Sequence, residues 1–454
     1  MNFKKAATIA AVAGALAAIS VPAMALENEF HGFYQIKGIL SNYNDGAAID
    51  QSPAKLKENA QANNYAEQRA RIFYTAKAND DLKLVTGFEM DTRFGGVTNG
   101  KYTNTSDAGV LDGDGINFET KWAYLDFNAN KVVNVKVGLL PYKDSLKGLL
   151  IDADIPALIT TTKLNPLTLV MGYSRYNEIN QTNTGLAAGR LGDRATDLFI
   201  LDASIAPTKD IKAGFSYYLL ANYLAINQPQ LLHTFDVNAE AKLGPLTVSG
   251  FAAAQLGHQK NSNIAGTNVN GTNTNYHGVA LNAAAKLAVG PGTVKTAILF
   301  TSGDNGSDNS NTAWQGSGVQ SYNESGMMLL VRNNATSGTT TDNEFVRRTI
   351  SNVTLLTVGF DAQITPKAYA NANLGLAWAA KNRGFGATTV HNGTNYLGSE
   401  LALEGGYKVY DNLTASLQAS YLLLGGYYNN SAADNAKEDP SNPYTARIVL
   451  TYAF

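Results

Sequence analysis

The chain has no cysteine in its 454 residues. That single absence removes disulfides, thiolate catalysis, Cys-ligated zinc, Fe–S clusters and haem attachment through C-x-x-C-H. It also suits a chain that crosses an oxidising compartment unfolded. Charge is sparse, with 16% Asp, Glu, Lys and Arg, and it nearly cancels at −2, so no basic excess recruits nucleic acid. The five histidines (His31, His233, His258, His277, His391) show no spacing like a metal pair. There is no G-x-S-x-G, P-loop or dinucleotide fingerprint. The chain is therefore read as a non-enzyme with no cofactor and no metal. Asp112-Gly113-Asp114-Gly115 imitates a calcium loop, but Val110 stands where an acid is wanted and Lys121 where the twelfth-position Glu belongs. The oxygen-rich stretch Asp304-Asn305-Gly306-Ser307-Asp308 leaves a loose calcium site open. After residue 25 no apolar run nears the ~20 residues of a spanning helix, and no long 3.6-residue stripe occurs.

What is present begins with an export signal. Lys4 and Lys5 form a charged start, Ala6 to Ser20 an apolar stretch, and Ala23-Met24-Ala25 a small-residue cleavage site. Residues 1–25 are expected to be removed, leaving 26–454 as one domain. Tyr outnumbers Phe, 23 to 17, which suits rings with one wet end at a membrane interface.

The dominant pattern is alternation. Segments of about ten to thirteen residues with period two recur from Phe30 to Phe454, as in a sheet with two unlike faces. About ten residues is what a tilted strand needs to cross a bilayer. Two classes of connection alternate strictly between the segments. One is short and turn-forming: Asn79-Asp80-Asp81, Asn130-Lys131, Asn165-Pro166, Pro207 to Asp210, Gly244-Pro245, Gly290-Pro291-Gly292, Thr365-Pro366-Lys367 and Tyr410-Asp411-Asn412. The other is long and polar, near 43–64, 94–116, 141–157, 177–195, 223–231, 259–275, 303–350, 381–396 and 425–443. Short turns on one side and long loops on the other mark a transmembrane antiparallel up-and-down β-barrel.

Cutting the chain at these connections predicts 18 strands: 30–42, 65–78, 82–93, 117–129, 132–140, 158–164, 167–176, 196–206, 211–222, 232–243, 246–258, 276–289, 293–302, 351–363, 368–380, 397–409, 413–424 and 444–454. The pair around Asn165-Pro166 is the least marked; without it the count is 16. Met327 to Val331, inside the longest loop, leaves an extra hairpin open. Three strands show the two faces plainly. Tyr444, Ala446, Ile448, Leu450, Tyr452 and Phe454 alternate with Thr445, Arg447, Val449, Thr451 and Ala453. Phe235, Val237 and Ala239 alternate with Asp236, Asn238 and Glu240. Leu413, Ala415 and Leu417 alternate with Thr414, Ser416 and Gln418. Arg or Lys facing lipid near the midplane costs roughly 2–4 kcal/mol each, so the charged face is assigned to the lumen. Strands 117–129 and 196–206 alternate too weakly for a face assignment.

The final Tyr452-Ala453-Phe454, with Ile448 and Leu450 in phase, resembles the end of the Gram-negative outer-membrane porins. The connection pattern extends that resemblance over the whole mature chain. It is also similar to the porin-type channels abundant in metal-reducing bacteria. The resemblance implies passive diffusion of small polar solutes and ions, Tyr452 and Phe454 as the signal read by the barrel assembly machinery, contact with lipid and lipopolysaccharide, and a homotrimer. A barrel sheathing a partner such as a multihaem cytochrome in an electron conduit, and a surface adhesin, stay open as other functions.

A barrel of 16 to 18 strands is too wide for side chains to fill and leaves an aqueous channel. Its candidate lining follows from register. Strand 65–78 aims Glu67, Arg69, Arg71, Phe73, Thr75 and Lys77 inward, and the next strand aims Lys83, Glu89, Asp91 and Arg93. This patch is either a selectivity element, a salt-bridge network satisfying enclosed charge, or both. In porins the loop after the fifth strand folds inward. Here that is 141–157, with Lys143, Asp144, Lys147, Asp152 and Asp154; its acids opposite the arginines would set a transverse field. Lys83, Lys136, Lys212, Lys242, Lys286, Lys295 and Lys408 sit near short turns, where they either ring the mouth for anions or simply solvate the turns. Phe73, Tyr218 and Phe251 are too few for a sugar slide.

Overall fold

A computed structural model describes residues 27–42, 57–95, 118–178, 194–224, 228–260, 273–304, 306, 309–317, 319–331, 350–382, 394–432 and 437–454. The expected export signal and Asp112-Gly113-Asp114-Gly115 lie outside the described residues. The strands are β1 (Glu27–Ser41), β2 (Asn63–Asn79), β3 (Leu82–Arg93), β4 (Glu119–Asn128), β5 (Val133–Lys143), β6 (Asp152–Leu164), β7 (Leu167–Glu178), β8 (Ala195–Thr208), β9 (Ile211–Asn222), β10 (Gln230–Leu243), β11 (Leu246–Gln259), β12 (Thr274–Tyr276), β13 (Val279–Val289), β14 (Gly292–Thr301), β15 (Ser310–Asn311), β16 (Val353–Gln363), β17 (Ala368–Trp378), β18 (Tyr396–Tyr410), β19 (Leu413–Leu424) and β20 (Tyr444–Ala453).

The long strands number 18, each antiparallel to its neighbours in chain order, and β1 pairs with both β2 and β20, closing the barrel. Closure leaves no sheet edge unpaired, which is what a spanning sheet requires. The short β12 and β15 extend the wall beside β11. The weakly marked hairpin exists: Leu164 on β6 pairs with Leu167 on β7 across Asn165-Pro166. Gly244 and Gly290 open two other turns with φ of +66° and +54°, the backbone region that two-residue hairpins reserve for glycine in first place.

The two faces fall as expected. On β10 Asp236 is 2% exposed and Val237 57%; on β20 Arg447 is 3% exposed and Ile448 62%. The exterior is studded with exposed Leu, Ile, Val and Phe. Such a surface is unfavourable in water by roughly 25 cal/mol per Å² of apolar area. Exposed rings gather near the short turns (Phe30, Tyr407, Tyr410, Tyr452, Phe454) and again toward the loops (Tyr173, Phe199, Tyr421), as in interfacial girdles. The buried apolar core lies on the other side of the wall. It joins loop residues Leu146, Leu149, Trp314, Tyr322 and Leu329 to lumenal wall residues such as Leu198, Phe251, Leu299 and Ala402.

Candidate functional site

Two loops build the interior. The first, 144–151 between β5 and β6, is shorter than the 141–157 expected, because β5 runs to Lys143 and β6 begins at Asp152. Lys147 and Gly148 reverse its chain with φ of +61° and +83°. The φ of Gly148 lies where glycine is favoured over L side chains, and a Cβ there would also press on Ser321 Oγ at 2.7 Å. Asp144 organises the turn: its carboxylate accepts from the backbone N–H groups of Gly148, Leu150 and Ile151 at 2.8, 2.6 and 2.5 Å. Burial pushes this carboxyl up to about 6, against the pull of those donors. The loop reaches well across the barrel. Ser145 donates to Asp236 of β10 at 3.0 Å and lies 2.9 Å from the Tyr218 hydroxyl of β9, while Lys147 donates to Ser249 of β11 at 3.0 Å.

The second loop is part of the stretch expected to lie outside as 303–350. Residues 314–317 and 319–331 fold inward instead, and Met327 to Val331 form a buried segment rather than an extra barrel hairpin. The physical reason is composition: Trp314, Tyr322 and Met327 to Val331 are too apolar for a solvated outer loop. They pack against lumenal Leu355, Ala377, Ala402 and Leu422. Burial also raises the Tyr322 phenol well above its ordinary value. The two loops pair by backbone: Ser317 N–H to Leu150 O, Ser321 N–H to Gly148 O and Asp152 N–H to Val319 O, each 3.0 Å. A Lys147–Glu324 ion pair of 3.1 Å adds to the seam.

The wall formed by β2 and β3 is charged. Arg69 and Asp91 form a two-point pair, 2.7 Å from Nε to Oδ1, and Arg71 pairs with Glu89, which also lies 3.4 Å from Arg69. Glu67 and Arg93 stand opposite one another in register, with Glu67 fully buried. Arg71 also lies 5.5 Å over the Phe33 ring. Next to this patch, His31, Phe73 and Trp122 stack in sequence at 5.2 and 4.4 Å between ring centres. The close packing at Gly87, where a Cβ would sit 3.0 Å from Phe73, makes room for that stack. So the predicted residues of β2 and β3 are brought together as a cross-strand ion-pair array.

The predicted loop acids are not one group. Asp144 is buried in its own turn. Asp152 and Asp154 belong to β6, not to the loop: Asp152 accepts from Ser321 and pairs with Lys143 at 3.2 Å, and Asp154 accepts from Lys121 at 2.6 Å and the Trp122 indole at 2.7 Å. The start of β6 escaped pattern reading because its inward residues Ala153, Ile155, Ala157 and Ile159 are apolar, being covered by the inner loops. Leu198 and Ile200 obscure β8 in the same way, and Tyr218 and Phe251 are likewise covered. Lys295 pairs with Asp361 at 2.7 Å and Lys83 with Asp126 at 3.4 Å. Lys212, Lys242, Lys286 and Lys408 are exposed near the short turns. At the strand closure, Phe454 exchanges backbone hydrogen bonds with Gly32 and stacks on Tyr452. Asp304 orders its own loop, accepting from the N–H groups of Gly306 and Thr312.

The barrel superposes on known structures. OccAB1 of Acinetobacter baumannii superposes with a TM-score of 0.54 at 12% identity, covering 94% of this chain and 96% of that one. The outer membrane protein OpdK of Pseudomonas aeruginosa gives 0.54 at 10%, covering 94% and 99%. A BenF-like porin from Pseudomonas fluorescens Pf-5 gives 0.53 at 13%, covering 94% and 98%. The fold is the porin fold. No protein-family model matches the sequence, and no curated protein matches it significantly. At such identities the porin fold is shared while the individual lumenal residues are this chain's own. Among them, sequence reading missed Trp122, Glu400 and the inward fold of the apolar run Met327 to Val331. Only the run had a signal: its hydrophobicity, too high for an outer loop.

Proposed function

We propose that this chain is an outer-membrane porin that lets small polar solutes and ions diffuse passively through its lumen. The observation that carries the reading is the division of the barrel's faces: lipid-compatible side chains outside, and inside a wall of Arg69, Arg71, Glu89 and Asp91 together with an apolar partition made by two loops. Water and polar solutes would pass between the two. Pore-facing charge then sets ion preference, with Glu67 and Arg93 as further lining residues and Asp144 as the residue that shapes the narrowing loop. Asp152 and Asp154 alternate with the inward residues of β6 and serve instead as partners of Lys143 and Ser321 and of Lys121 and Trp122. One structure of OpdK, similar to this chain at a TM-score of 0.54 and 11% identity, was solved with vanillate. That supports a small organic solute for a barrel of this fold.

Export by cleavage after Ala25, recognition of Tyr452 and Phe454 by the barrel assembly machinery, lipopolysaccharide contact and a homotrimer complete the proposal. A role as sheath for a multihaem cytochrome is disfavoured, because 144–151 and 314–331 occupy the space a partner would need. Conductance in planar bilayers tests the reading. Stepwise ohmic openings by the purified, heat-modifiable barrel are expected. A folded barrel that stays silent would overturn it in favour of a scaffold or adhesin.

A further inference from the structure

The inner partition has two supports of different kinds. One is covalent: loop 144–151 is the hairpin between β5 and β6, and 317–321 pairs onto it through backbone hydrogen bonds. The other support is on the far wall, where 325–331 meets β16 to β19. There Glu400, fully buried on the lumenal face of β18, accepts from three successive backbone N–H groups: Met328 and Leu329 to Oε1 at 2.6 and 3.0 Å, and Leu330 to Oε2 at 2.7 Å. Ser420 of β19 donates to Oε1 at 2.7 Å. The surrounding wall is shaped to receive the segment. A Cβ on lumenal Gly375 would fall 2.4 Å from Met327 Sδ, and Ala377 and Ala402 keep the wall low. Ser325 Oγ reaches Thr357 Oγ1 on β16 at 2.5 Å.

We infer that Glu400 is the positioning residue that fixes pore width, by holding the far end of the two-loop partition against β18. A carboxylate buried in an apolar wall is unfavourable unless its lone pairs are filled. Here Ser420 supplies one donor and the loop backbone supplies three. Without the loop seated, Glu400 would be a charge facing the lumen with one protein donor. Without Glu400, three adjacent buried N–H groups would lack an acceptor. Each therefore fixes the other. Because backbone groups do the bonding, the docking tolerates changes of loop side chain but not loss of the carboxylate. The partition is already tied to β5 and β6, so releasing this end lets it swing from the β18 side and enlarge the space beside the charged wall.

The inference rests on the channel reading, and the test separates the two. Glu400→Ala, Glu400→Gln and wild type are purified as heat-modifiable barrels, and single-channel currents are recorded in planar bilayers. In Glu400→Ala the occupancy of wide substates should rise at least about tenfold, the fold-change of losing one charge-assisted hydrogen bond. Glu400→Gln, which keeps one acceptor oxygen, should fall between. Adding Ser325→Cys with Thr357→Cys to either variant provides a tether. In a chain with no native cysteine, oxidation should return the narrow state and reductant should release it. Amide exchange of 325–331, faster in Glu400→Ala, reads the docking without any current. Substate patterns and exchange equal to wild type in both variants would overturn the inference. A silent but folded wild type with accelerated exchange in Glu400→Ala would sink the channel reading while leaving the anchor standing.

Discussion

Arg69 and Arg71 show how one side chain serves two ends. Each is held by a carboxylate on the next strand, so the ion-pair network and the proposed lumenal lining are the same residues. Replacing Arg69, Arg71 and Arg93 together with Gln removes three positive charges from beside Glu67, Glu89 and Asp91. Cation over anion permeability should then rise by about tenfold, the lower end of what a charged, walled cleft achieves. Reversal potentials under a salt gradient measure it; unchanged selectivity would remove these arginines from the narrow region. Asp144 makes a different prediction. Removing its carboxylate in Asp144→Ala strands three buried N–H groups, at about 1–3 kcal/mol for each donor left without a partner. Its raised pKa also has a sign. The folded loop holds a proton that a free Asp releases near 4, so this contribution to docking is fully present below 4. It is lost as pH rises through about 6. Exchange protection of 144–151, corrected for intrinsic rates, should therefore drop between pH 4 and 7 in wild type and change little in Asp144→Asn.

At the scale of elements, the last strand carries its own prediction. Phe454 covers Gly32 and stacks on Tyr452 where β20 meets β1. Phe454→Ala should lower folded yield and reduce stability by about 1–2 kcal/mol, below the 3–5 typical of buried Phe because the ring is half exposed. Urea titration followed by heat-modifiable mobility checks it. The strands themselves were legible wherever one face is polar and the other apolar, as in β10, β19 and β20. They were illegible where a loop covers the lumenal face, because Ile155 and Leu198 then face protein rather than water and the alternation vanishes. For the same reason the alternation in β6 becomes visible only from about residue 158, and Asp152 and Asp154 look like loop residues in the sequence.

For the whole molecule, the proposed channel runs beside the charged wall of β2 and β3. Ion preference along it should weaken between 0.1 and 1 M salt, as the Debye length falls from about 10 to about 3 Å. Selectivity that ignores ionic strength would point to a steric filter at the partition instead. Most strands, their turns and the facing of the plainly alternating ones were legible in local pattern, since period two and turn chemistry act between residues close in the chain. The choice of 18 strands over 16 and the pairing of β20 with β1 were decided by the closed barrel. The interior was not legible in this way. The seat of 325–331 on Glu400 joins residues about 70 positions apart, and the seam between 148–152 and 317–321 joins residues about 170 apart. Contacts of that kind leave no periodic trace. They depend on which backbone groups meet once the barrel has closed, and only the tertiary structure decides that.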